Sequence, residues 1–117
     1  MKPATFSPAY VAVYPMLSEL ARKHGYALAI HGTVTRDFDL IACPWTDEAV
    51  DPIALYEAVV EWLQALEYVA EDSALREPEQ KPHGRLAWCI PTGNGSVVDL
   101  SVMPRTAKEG TQNEDRN

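Results

Sequence analysis

The chain has 117 residues, a net charge of −7 and 46% apolar residues, which is the size and composition of one domain with one modest core. The acidic balance argues against a surface that grips nucleic acid non-specifically, because phosphate backbones attract basic patches. No continuous apolar run approaches the ~20 residues of a membrane span, and two cysteines are too few for a four-thiolate zinc site.

From the N-terminus, Met1-Lys2-Pro3-Ala4-Thr5 has none of the apolar core of a signal peptide, so a cytoplasmic location is expected. Ser7 to His24 reads as a helix, with Tyr10, Tyr14, Leu17, Leu20 and Ala21 at three- and four-residue spacing. Pro15 marks a kink or a fresh first turn within it. Gly25 is the expected stop. Tyr26 to His31 is a strand, and Phe38 to Cys43 a second, the two joined by a tight Gly-Thr turn. Pro44 is expected to end pairing. Asp51 and Pro52 read as N-cap and first residue of a second helix, with Ile53, Tyr56, Val59, Val60, Leu63 and Leu66 as its apolar stripe. Glu57 and Glu61 fall on its wet side.

The stretch 70–84 is polar, contains Pro78 and Pro82, and is expected to be loop. Arg85 to Pro91 and Ser96 to Met103 form a third and a fourth strand around the turn Thr92-Gly93-Asn94-Gly95. The tail from Arg105 to Asn117 has no periodicity and is expected to be disordered. Cys43 and Cys89 lie in strand-like apolar runs and are expected to be reduced and buried. The prediction is an α+β domain over residues 1–104, in the order α-β-β-α-β-β. Its mixed four-stranded sheet would carry both helices on one face.

Three carboxylates carry the candidate chemistry. Asp37 and Asp39 are two residues apart on a strand, so they share a face. Like charges so placed call for a cation, a proton or a basic partner. Asp99 stands inside Val97-Val98-Asp99-Leu100-Ser101-Val102, where an unpartnered carboxylate is costly. If its strand neighbours the second one, the three aspartates meet and offer the oxygen ligands that Mg²⁺ prefers. The same residues also read as a charged hairpin mouth, with Arg36 pairing Asp37 or Asp39 and Arg85 pairing Asp99. Arg36, Lys81 and Arg85 are candidate cations for phosphate. Trp45, placed in a loop after Pro44, is the tryptophan best suited to a ligand or partner contact.

A strand running into Gly-Thr, then Asp-x-Asp on the next strand and a lone aspartate on a later one, resembles the nucleotidyltransferase superfamily typified by DNA polymerase beta. The resemblance spans Ala27 to Ala42 and Val97 to Val102. The runs Asp39-Leu40-Ile41-Ala42-Cys43-Pro44-Trp45 and Lys81-Pro82-His83-Gly84-Arg85 resemble small phage and prophage members of it. The resemblance implies a minimal nucleotidyltransferase core that binds a nucleoside triphosphate with Mg²⁺. Gly32 and Thr33 would contact the triphosphate, with Arg36 and Arg85 as further substrate contacts. Asp37, Asp39 and Asp99 would ligate metal and carry the transfer of a nucleotidyl group.

The chain departs from the family pattern in one place. Val34-Thr35-Arg36 alone separate Gly-Thr from the first aspartate, where active members have a longer link with a helical turn whose N-terminus holds phosphate. The alternative is therefore a catalytically inactive, acidic interaction module of phage or prophage type, which occupies a basic host protein or nucleic-acid-binding complex.

Overall fold

In the computed structural model, the described residues are 7–69, 75–92 and 95–105. The first helix, α1, spans Ser7–Lys23. Tyr10, Val13, Leu17 and Ala21, three or four residues apart, form its buried stripe. Pro15 sits inside the helix on its exposed side, where a missing N–H leaves no buried group unsatisfied. Gly25, at φ +90°, turns the chain out of α1 and into β1, Tyr26–His31. A side chain there would collide with the backbone of Ala49, so this corner requires glycine.

Strand β2 spans Phe38–Pro44 and pairs antiparallel with β1, through Tyr26 opposite Pro44. Pairing ends at Pro44 as expected, with Pro44 itself the last paired residue, one beyond the predicted strand. Helix α2 spans Pro52–Ala65. Asp51 occupies its N-cap position, but the carboxylate makes no capping hydrogen bond. The buried residues of α2 are Pro52, Leu55, Tyr56, Val59, Val60 and Leu63, whereas Ile53 and Leu66 are exposed. The apolar stripe predicted for this helix is therefore off at both ends, because Leu55, not Ile53, faces the sheet in the first turn.

The stretch expected to be loop contains a two-residue strand, β3 (Glu79–Gln80), and a 3-10 turn over Pro82–Gly84. Strands β4 (Leu86–Pro91) and β5 (Val97–Val102) follow. Residues 70–74, the turn residues Gly93 and Asn94, and the tail 106–117 lie outside the described residues, as do the expectations made for them. Thr92 N–H donates to Ser96 O (3.1 Å) where the β4–β5 hairpin turns.

The class is α+β, with two helices and a mixed sheet, but the sheet has five strands rather than four, in the order β1-β2-β5-β4-β3. The extra strand is the short β3, antiparallel to β4. Two residues are too few to show alternation in a sequence. β2 and β5 are parallel, and β4 and β5 antiparallel.

Alternation then divides the sheet. Leu28, Phe38, Leu40, Ala42, Trp88, Ile90, Val98, Leu100 and Val102 join the buried stripes of both helices in one core. Tyr10 stacks on Phe38 (centroids 4.6 Å apart) and Tyr56 on Trp88 (4.4 Å). Three tyrosine hydroxyls satisfy backbone carbonyls at the core margin. Tyr10 donates to Arg36 O, Tyr14 to Leu28 O and Tyr26 to Val50 O, each at 2.6 Å. Among the described residues, no helix lies on the opposite face of the sheet. Among the described residues, no helix is long and apolar enough to cross a membrane.

Candidate functional site

Leu40 and Leu100 are fully buried against the helices, so their neighbours Asp39 and Asp99 project from the open face. The parallel register places Asp39 directly beside Asp99, on strands about 4.8 Å apart. The same row continues in both directions, since His31 is opposite Asp39 and Cys89 is opposite Asp99. A row His31–Asp39–Asp99–Cys89 thus crosses four strands, with two half-buried carboxylates at its centre.

Both cysteines are free and exposed, which corrects the expectation that they are buried. Each lies on a strand, but at the parity that faces away from the core. Of the three tryptophans, Trp88 is core, Trp62 packs at the core margin and Trp45 is 78% exposed.

Electrostatics mark the centre of the row. Burial pushes the Asp99 carboxyl above the usual range, and the neighbouring charge of Asp39 pushes it further. His31 opposes the rise, Asp37 adds to it, and Lys81 opposes it again. Burial likewise raises the Cys89 thiol, with Asp99 and then Asp37 adding to the effect. The thiol is therefore protonated at neutral pH and is not an activated nucleophile.

Asp37 stands slightly apart. It is exposed, and its Oδ1 accepts a hydrogen bond from Val97 N–H (3.3 Å), which ties the loop before β2 to the start of β5. Arg36 does parallel work. Its Nη2 donates to Gly95 O (2.9 Å), so it joins the β1–β2 loop to the β4–β5 turn instead of pairing with an aspartate. Arg85 Nη1 donates to Ser101 Oγ (2.8 Å), not to Asp99. Among the described residues the ion pairs are Arg22–Glu19 and Lys81–Glu79. Among these residues no basic side chain forms an ion pair with Asp37, Asp39 or Asp99.

Gly32 (φ +78°) lies against Asp39. A Cβ there would come within 2.5 Å of Asp39 Oδ2. Thr33 is exposed, and its carbonyl accepts from Thr35 Oγ1 (3.3 Å). Val34 is also left-handed, at φ 49°, a conformation a β-branched residue rarely adopts. The Gly32–Asp37 link is therefore a tight, irregular turn with no helix, so it offers phosphate no helix N-terminus.

Among the described residues, no group of three or more His, Cys, Asp or Glu side chains is arranged to hold a metal ion. The donor set that the strands do bring together is the pair Asp39 and Asp99. Two carboxylates suit Mg²⁺, which commonly binds one or two carboxylates and completes its shell with water and substrate phosphate. A cavity of about 160 Å³ opens elsewhere, along the far edge of β4, and meets the row only at Cys89.

Alternation along the last strand sets Ser101 on the face of Asp99, whereas Cys89 is the member of this surface that was expected in the core. Counting outward from the Gly-Asn-Gly turn would have found it, since that register sets Cys89 opposite Asp99. No protein-family model matches the chain, and no curated protein matches it.

Proposed function

We propose that the chain is a small nucleotidyltransferase-like protein that binds a nucleoside triphosphate through Mg²⁺ at Asp39 and Asp99. The carrying observation is the pairing of these two carboxylates on adjacent parallel strands, on a sheet face that bears no helix among the described residues. Mg²⁺ held there with the triphosphate would neutralise charge and polarise the phosphoryl oxygens. Gly32 leaves room for the Asp39 carboxylate itself, since a Cβ there would come within 2.5 Å of Oδ2. In the transfer, an acceptor hydroxyl oxygen bonds to the α-phosphorus, the bond to the pyrophosphate oxygen breaks, and pyrophosphate leaves with the electron pair. The hydroxyl proton passes to solvent water, since Asp99 serves as a ligand to the ion.

Calorimetric titration with ATP and GTP in Mg²⁺ tests the reading. Saturable binding that Asp39→Asn with Asp99→Asn abolishes is the expected result. An absence of heat with every nucleoside triphosphate defeats it.

A second reading has its own observation. The exposed Trp45 is followed by the exposed acids Asp47 and Glu48, and an aromatic anchor rimmed by charge suits docking onto a basic protein. As an acidic phage or prophage module, the protein would retain a host partner in a pull-down and lose it on Trp45→Ala, with metal binding unchanged.

A further inference from the structure

Arg85 is a cation on the open face that is held by a hydrogen bond to a neutral group and not by an ion pair among the described residues. It precedes β4 in extended backbone (φ −71°, ψ 136°), two residues before Ala87, which is opposite Ser101. Its side chain therefore leaves on the same face as Asp39 and Asp99. Ser101 is 4% exposed although no helix among the described residues covers that face, and its hydroxyl accepts from Arg85 Nη1 at 2.8 Å. The guanidinium is thus fixed by a neutral group.

The chain has 17 acidic residues against 10 Lys and Arg, so cations have ample choice of partner. Lys81, close by, is paired with Glu79 (3.2 Å). Arg85 has no ion pair among the described residues. A planar cation that is oriented, charged and without a counter-ion suits a phosphate group, which it can bind through parallel N–H donors.

Ser101 lies two residues beyond Asp99 on β5, so its hydroxyl is about 7 Å along the strand from the carboxylate. That separation exceeds a single phosphate and is within reach of a triphosphate chain. The Gly32–Thr33 turn, on the other side of Asp39, has no helix to hold phosphate. We infer that Arg85, positioned by the Ser101 hydroxyl, is the subsite for the terminal phosphates of the bound nucleotide, so that the triphosphate runs from the Asp39–Asp99 pair across β5 towards β4. This inference rests on the reading of Asp39 and Asp99 as the nucleotide's metal site.

The test is calorimetric titration of the full chain with inorganic tripolyphosphate, in Mg²⁺ and again in EDTA. Arg85→Gln should weaken binding in Mg²⁺ by about tenfold and Ser101→Ala by about threefold, with Arg85→Lys between wild type and Arg85→Gln, as expected for losing one charge-assisted contact or its orientation. Amide spectra that superimpose on wild type away from β3–β5 exclude misfolding as the cause. Binding in Mg²⁺ that Arg85→Gln leaves unchanged but Asp39→Asn removes overturns the subsite and leaves the metal reading standing. Binding that persists in EDTA and in Asp39→Asn with Asp99→Asn, yet is lost in Arg85→Gln, supports the subsite and overturns the metal reading. A wild-type protein that binds no tripolyphosphate in either condition overturns both.

Discussion

Asp99 stands between Val98 and Leu100, both buried, and beside a second carboxylate, with no ion pair to either among the described residues. Its raised pKa is therefore a destabilising feature of the free protein. Below the unfolded value, both states are protonated and the group costs nothing. As pH rises through the unfolded and then the folded pKa, the unfolded chain ionises first and stability is lost, fully so above the folded value. Asp99→Asn should then raise the melting temperature at neutral pH, with the difference vanishing near about pH 3, below both values. A thermal melt series over pH checks this, and an equal effect at every pH would show that packing, not charge, is responsible. Much at this scale was legible in sequence. The parity of Asp39 and Asp99 follows from alternation with leucine, and a mid-strand aspartate between apolar residues announces itself. The partners of Arg36 and Arg85 were not legible, because a backbone carbonyl from a distant turn and a buried serine leave no local pattern.

The helices and long strands follow from periodicity and punctuation, as Gly25 shows most sharply. It ends α1, carries φ +90° and leaves no room for a Cβ against Ala49. Gly25→Ala should destabilise the domain by more than ~1 kcal/mol, since an incompatible φ and a backbone clash add. Chemical denaturation would measure it, and a change within error would mean the corner relaxes easily. The phase of α2 was less legible. Ile53, Leu55 and Leu66 are all apolar, yet Leu55 alone is buried, Ile53 falls on the outer side of the first turn and Leu66 lies past the helix end as its C-cap. β3 was illegible because two residues carry no period, so its pairing depends on Leu86–Ala87 being in place.

For the whole molecule, the decisive feature is which strands are neighbours. Four strands were foreseeable, but the parallel contact of β2 with β5 is a property of the assembled sheet. That contact sets Asp39 beside Asp99 in a chain of net charge −7. It also leaves Asp37 tied to Val97 and outside a three-ligand cluster. Because the excess of acid is spread over the surface, a divalent ion has many weak places to sit, and location matters more than affinity. The most direct measurement is paramagnetic broadening of amide signals by substoichiometric Mn²⁺, with ATP present. Broadening centred on Asp39 and Asp99, and abolished by Asp39→Asn with Asp99→Asn, is the expected result. Broadening led by the exposed acids Glu57 and Glu61 of α2, or by Asp47 and Glu48, with Asp39 and Asp99 unaffected, would contradict a shared metal site on the open face of the sheet.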